Sequence, residues 1–341
     1  MTSAPTAAVG AGTDVLSAPV ATGQSPRQVV WTRNKTTLYR YDSPAERVRS
    51  VPVVLVYALI NQPYVFDLTL GNSFVRHLLE NGHDVFLVDW GTPGWEDRNV
   101  SLDELVGEHL PRAVDAALRA AGAEQYTLFG YCMGGTMATI EAARRPERVR
   151  NLVALTTPID FADGGTFSVW AQRRHLDPES AAAGFGNIPS DVINFGSKML
   201  KPVTNFVSAQ STMMDRLLAG ADLTSWRAID KWVNDGVPFP GAAFAQWIDF
   251  FYQRNLLVAG DLTIAGAPVD LGSIDASVLT IAGSRDHIVP PSMAQPLDQM
   301  TSASDHRYLE LDAGHVGLLV GSGARTGLWP LITNWLDGRS S

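Results

Sequence analysis

The chain has 341 residues, a formal net charge of −9, 45% hydrophobic and 18% charged residues, and one cysteine. This size and apolar content support one large α/β domain with an insertion, or two domains, and exclude global disorder. The acidic balance gives no electrostatic basis for nucleic-acid binding, and a single cysteine cannot form an intrachain disulfide, which fits a reducing compartment.

The N-terminus lacks a basic start followed by an apolar core, so no signal peptide is expected. Apolar runs such as Val53 to Ile60 are too short to span a bilayer. A soluble intracellular protein is the expectation. Residues 1–24 are rich in Ala, Gly, Thr, Ser and Pro and read as a flexible tail. Thr36 to Tyr41 alternates as an early strand, and Val51 to Tyr57 is a buried apolar run. Phe74 to Leu79 reads as a helix stopped by Asn81-Gly82, and Asp84 to Trp90 as the next strand. Ser101 and Glu104 have capping-box spacing and open a long helix ending near Gly122. Tyr126 to Phe129 is a strand, Met133 to Arg145 a helix, and Asn151 to Leu155 a strand.

Strands alternating with helices predict a parallel sheet with right-handed crossovers. From Thr157 to Pro268 the rhythm changes to a stretch rich in Trp, Phe, Gly, Pro and Met without clear buried strands. It reads as a mainly helical cap over the carboxyl edge of the sheet, where ligands bind in such folds. The strand–helix rhythm resumes at Val278 to Ala282, a helix near Met293 to Met300, a strand at Tyr308 to Leu311 and a closing helix from Leu328 to Leu336. The expected organisation is therefore a tail over 1–24, a core built from 25–156 and 269–341, and a cap over 157–268.

The cysteine lies in Gly130-Tyr131-Cys132-Met133-Gly134, a G-x-nucleophile-x-G pattern between a strand and a helix. A sharp turn there holds the nucleophile exposed, and flanking glycines relieve the crowded backbone. A thiol nucleophile needs a base, and the base needs an orienting acid. Asp286 follows one strand in Gly283-Ser284-Arg285-Asp286-His287, and His315 follows another in Asp312-Ala313-Gly314-His315. Nucleophile, acid and histidine, in that order and each beyond a strand, match an α/β-hydrolase arrangement: a mostly parallel central sheet flanked by helices, with a helical cap insertion. His287 is a rival base, and Asp160 and Asp312 are rival acids with weaker placement. The backbone N–H of Met133 is the natural first oxyanion donor, and the second is expected from the loop at Ala58-Leu59-Ile60. Thiolate attack on an oxygen ester runs uphill, whereas attack on another thioester is nearly neutral, so cysteine favours a thioester donor.

These residues resemble a known family. The stretches Ser25-Pro26-Arg27-Gln28, Leu38-Tyr39-Arg40-Tyr41-Asp42, Val54-Leu55-Val56-Tyr57-Ala58-Leu59-Ile60-Asn61-Gln62-Pro63-Tyr64, Asp89-Trp90-Gly91, Gly130 to Thr136, Val149 to Val153, Thr157-Pro158-Ile159-Asp160-Phe161, Asp286 to Pro291 and Gly314-His315-Val316-Gly317 resemble the catalytic subunit of polyhydroxyalkanoate synthases, most closely the short class III type. The resemblance implies polymerisation of (R)-3-hydroxyacyl-CoA, with short chains such as 3-hydroxybutyryl-CoA as the expected monomers, and release of CoA. It implies that Cys132 carries the growing polyester, that His315 is the base, and that Asp286 pairs with it or helps activate the incoming hydroxyl. It also implies a second, non-catalytic subunit, a homodimer, and a location on cytoplasmic polymer granules. No cofactor or metal is implied, since CoA belongs to the substrate. Met133 after the nucleophile and the Ala/Gly-rich tail depart from the family pattern; Met133 is expected to contribute mainly its backbone.

With one cysteine per chain, passing the polymer between two thiols needs two chains; otherwise one thiol elongates through a non-covalent intermediate. Cap aromatics from Trp170 to Tyr252 fit either a dry polymer path or the cap's own core. Arg173, Arg174, Lys198, Lys201, Arg216, Arg227, Lys231 and Arg254 are candidates to meet CoA phosphates, or solvated surface charges. Two rival functions share this sequence logic. One is a thioesterase or polyester depolymerase, in which water accepts the acyl group. The other is a granule-binding scaffold that has kept the fold.

Overall fold

A computed structural model describes residues 20–44, 49–200 and 223–340. Most of the expected tail, together with Lys201 and Arg216, lies outside the described residues. The last residues of that tail are attached to the core: Val20 packs against it, and the Gly23 N–H donates to the Asp67 carbonyl at 2.8 Å.

Eight strands form the central sheet: β1 (Arg27–Arg33), β2 (Thr36–Tyr41), β3 (Val53–Val56), β4 (Val85–Asp89), β5 (Tyr126–Tyr131), β6 (Val149–Leu155), β7 (Ser277–Gly283) and β8 (His306–Leu311). Their spatial order is β1-β2-β4-β3-β5-β6-β7-β8. The β1–β2 and β2–β4 pairs are antiparallel, and all the others are parallel. β3 is buried along its whole length, as an unbroken Val/Leu run covered on both faces by helices must be. β1 was not expected. It is a largely exposed edge strand with a register shift between Val29 and Trp31, so it lacks the apolar run that marks its neighbours.

The helices end where the chain chemistry ends them. In α1 (Phe74–Glu80) the Ser73 side chain accepts from the Arg76 N–H, and Gly82 beyond it takes φ 79°. Ser101 accepts from the Glu104 N–H and opens the stretch leading through a π-helical turn (Leu105–His109) into α2 (Leu110–Ala121). Gly122 closes α2 in the left-handed region, φ 66°. Between β6 and β7 the chain forms α4 (Gly165–Trp170), α5 (Pro178–Phe185), α6 (Ser190–Met199), α7 (Thr224–Asn234) and α8 (Gly241–Trp247). α8 runs on into a π-helical turn, Ile248–Gln253. A two-residue ladder, Thr263–Ile264 against Ala267–Pro268, adds strand pairing in a stretch expected to be helical. Near the C-terminus, Pro296 divides the expected helix into Pro291–Ala294 and Leu297–Met300.

Three backbone hydrogen bonds seat the inserted helices over the loops that leave β3 and β4. The Val237 N–H donates to Ile60 O, and the Ala242 and Ala243 N–H groups donate to Arg98 O and Val100 O. Trp232, Phe239, Trp247 and Phe251 are buried in the common core, whereas Phe185 and Phe195 are 52% and 61% exposed. The aromatics of the inserted segment thus divide between packing and surface.

Candidate active site

β5 is buried throughout and delivers the chain to Cys132, where it turns into α3 (Met133–Arg144). Cys132 sits at φ 56°, ψ −130°, backbone space that a non-glycine residue holds only under strain of about 1–3 kcal/mol. The turn tolerates no bulk. A Cβ on Gly134 would collide with the Val56 carbonyl, and one on Gly130 with the Gly135 backbone. The Cys132 side chain makes no capping bond, so the thiol is not consumed by the helix, while its N–H is anchored to Leu155 O at 3.0 Å.

Asp286 and His315 come from the loops after β7 and β8. His315 Nδ1 lies 2.6 Å from Asp286 Oδ2, and both residues are buried. The other carboxylate oxygen, Oδ1, accepts the Ile288 and Val289 N–H groups, each at 2.9 Å. One acid therefore closes its own turn and orients the imidazole. Burial alone would lower the His315 pKa. The charges of Asp286 and Cys132, with hydrogen bonds to both side chains, outweigh burial and lift it to about 10. The charge on Cys132, far away in sequence, thus acts on the His315 ring. Tyr131, next to the cysteine, steadies the ring: the two ring centroids are 5.2 Å apart, and the Tyr131 hydroxyl donates to His315 O at 3.3 Å.

The rival acids are otherwise engaged. Asp160 Oδ1 accepts from the Ala162 N–H and the Asn255 side chain, and the exposed Asp312 pairs with Arg285. Two more phenols stand within electrostatic reach of the sulfur. Burial first, then the charge on Cys132, drives Tyr57 and Tyr252 above the ordinary phenol range. Tyr252 belongs to the π-helical turn after α8, so the segment inserted between β6 and β7 comes within electrostatic reach of the nucleophile.

The Ala58-Leu59-Ile60 loop is tethered at three carbonyls. The Trp90 indole N–H donates to Tyr57 O at 2.8 Å, the Val237 N–H to Ile60 O at 3.1 Å, and the Trp232 indole N–H to Gln62 O at 2.8 Å. Each such bond contributes about 1 kcal/mol net, and together they fix the peptide planes between them. Met133, as first residue of α3, has a backbone N–H without an intrahelical acceptor. Its side chain, expected to matter little, also takes part. The Leu59 N–H, buried and costly to leave unpaired by about 1–3 kcal/mol, donates to Met133 Sδ at 3.5 Å. From sequence, Trp90 and the Met133 thioether have no assigned role in the site, and Trp232 stands only among aromatics of a polymer path or of the cap's own core. Trp90 lies in the Asp89-Trp90-Gly91 stretch, which was the one available signal.

Among the other charged candidates, Lys231 pairs with Asp235 and meets the Tyr64 hydroxyl, while Arg173 and Arg254 share Asp249. Among the described residues no group of three or more His, Cys, Asp or Glu side chains is arranged to hold a metal ion.

Comparison with known proteins gives consistent results. A family profile described as the alpha/beta hydrolase fold matches residues 51–322, and one described as the poly-beta-hydroxybutyrate polymerase (PhaC) N-terminus matches residues 14–78. The chain is 36% identical over 321 residues to the poly(3-hydroxyalkanoate) polymerase subunit PhaC of Allochromatium vinosum, covering 93% of this chain and 90% of that one. It is 35% identical over 322 residues to the protein of the same name from Haloferax mediterranei, covering 94% of this chain but 65% of the relative's length. Among solved structures, a thermophilic esterase from Thermogutta terrifontis superposes with a TM-score of 0.55 at 14% identity, covering 94% of this chain and all of that one.

Proposed function

Because this chain belongs to the poly(3-hydroxyalkanoate) polymerase family and has the α/β-hydrolase fold, we propose that it is an acyltransferase that polymerises (R)-3-hydroxyacyl-CoA, with 3-hydroxybutyryl-CoA as the preferred monomer. His315 takes the Cys132 proton, and the sulfur attacks the thioester carbonyl carbon. The tetrahedral oxyanion is met by the Met133 backbone N–H and by donors of the Ala58–Leu59 loop. The C–S bond to CoA breaks, His315 protonates the leaving thiolate, and the acyl group rests on Cys132 as a thioester. His315 then deprotonates the 3-hydroxyl of an incoming hydroxyacyl-CoA, which attacks that thioester. The acyl–sulfur bond breaks and frees the Cys132 thiolate; the ester so formed remains attached to CoA until that thiolate attacks its thioester carbonyl and CoA leaves, so a single thiol elongates the chain. Asp286 holds the imidazole in orientation and offsets its positive charge.

What supports this reading most is a strained, uncapped Cys132 whose charge acts on the ring of the buried, hydrogen-bonded Asp286–His315 pair. The segment 157–268 serves as the cap that keeps water from the acyl-enzyme, supported by its backbone bonds to the loops after β3 and β4. We extend the proposal to a homodimer working with a non-catalytic subunit at the surface of cytoplasmic polymer granules; the relatives' designation as polymerase subunits supports such a partner. No described helix is long and apolar enough to cross a membrane.

The test incubates purified protein with (R)-3-hydroxybutyryl-CoA, with and without a candidate partner subunit. Release of CoA with insoluble polyester is the expected result. Stoichiometric free 3-hydroxybutyrate without polymer would make the chain a hydrolase, and no CoA release in either condition would favour a scaffold.

A further inference from the structure

We propose that the Met133 thioether is a placeholder for the substrate carbonyl oxygen: it holds the Leu59 N–H in the resting protein and yields that donor when a thioester binds. The inference rests on the thioester reading above. It starts from the 3.5 Å bond between the Leu59 N–H and Met133 Sδ, which joins the loop after β3 to the first residue of α3, next to the nucleophile.

The two partners differ in freedom. The Leu59 loop is pinned on both sides through Tyr57 O, Ile60 O and Gln62 O, and the Val56–Tyr57 backbone abuts Gly134 so closely that no Cβ fits between them. The loop therefore keeps its N–H aimed at the mouth of α3. The Met133 side chain is unbranched and has three rotatable bonds, so it can swing aside without moving backbone. Leu59 is 3% exposed, so water gives its N–H little alternative to the sulfur. A thioether is a weak acceptor, strong enough to satisfy the donor and weak enough to give it up. A carbonyl oxygen gaining negative charge is a far better one. The exchange thus returns most of its free energy in the transition state, when the oxyanion has formed. Met133 acts through Leu59 and is a positioning residue.

Two arms of one experiment test this. In the ligand-free arm, leucine-¹⁵N-labelled full-length protein is compared with Met133→Leu, which keeps the volume and removes the acceptor; the Leu59 amide signal is assigned by its loss in Leu59→Ile. We expect Met133→Leu to shift that signal and to speed its hydrogen exchange about tenfold or more. Unchanged shift and exchange overturn the proposal whatever the substrate. In the second arm, methionine-methyl-¹³C-labelled Cys132→Ala protein is titrated with (R)-3-hydroxybutyryl-CoA while binding is followed by equilibrium dialysis. The Met133 methyl signal, identified by its absence in Met133→Leu, is expected to move in step with binding. A stationary signal at saturation overturns the hand-over. If the ester does not bind, the hand-over falls as well, and polymer formation by the wild-type chain then shows whether the polymerase reading falls with it.

Discussion

The two ends of α3 each carry a buried acid beside a base, and only one of them is built to react. At the N-terminal end, Asp286 has both oxygens engaged by N–H donors and the His315 ring, and that ring feels the charge of a thiol on a strained turn. At the C-terminal end, Glu141 is fully buried, accepts from Tyr126 and Arg145 at 3.1 and 3.3 Å, and leaves Oε2 unpaired. Burial, against the pull of Arg145, raises the Glu141 pKa to about 7. A buried, perturbed carboxyl is thus no mark of catalysis by itself. What separates the two ends is a nucleophile in reach and an open bonding position beside it.

Substitutions break this contrast in order of size. Cys132→Ala should abolish CoA release and polymer formation, a loss of about 10⁴-fold or more in an initial-rate assay. Asp286→Asn should lower kcat about 10²- to 10⁴-fold with little change in KM, because the imidazole loses its orienting partner. Trp90→Phe or Trp232→Phe removes one tether of the Leu59 loop, and kcat should fall about three- to thirty-fold, the worth of one ordinary hydrogen bond, because the donors themselves stay in place. Glu141→Gln should leave kcat within about two-fold, since it lies at the unreactive end.

Stability against pH sharpens the same contrast. The native state raises Glu141 from 4.5 to about 7, so its contribution is complete below about pH 4.5 and is lost as pH rises through 7. His315 is raised from 6.5 to about 10, so its contribution is complete below about pH 6.5 and is lost as pH rises through 10. Thermal unfolding across this range should lose the lower slope in Glu141→Gln and the upper slope in Asp286→Asn. Unaltered profiles would show that these groups are not the ones titrating.

β3, β5, β6 and β7 were legible because each holds a short apolar run bounded by turn residues, and the elbow because its glycines answer a steric demand readable from spacing. β1 was hidden because an exposed edge strand needs no apolar pattern. The π-helical turns at 105–109 and 248–253 were hidden because they change hydrogen-bond register without changing composition. The Ala265-Gly266 turn, with φ 51° and 73°, closes its two-residue ladder where only Gly266 hinted at a reversal. Within the site, Cys132, Asp286 and His315 follow from chain order. The Leu59–Met133 contact spans 74 residues and depends on where a flexible side chain comes to rest, which no local pattern records.

Mass spectrometry of acid-quenched turnover mixtures reads the covalent step itself. During reaction with (R)-3-hydroxybutyryl-CoA, the peptide containing Cys132 should carry hydroxybutyryl groups in thioester linkage, released by hydroxylamine. Steady CoA release with that peptide unmodified, or undiminished turnover by Cys132→Ala, would contradict the account at its root.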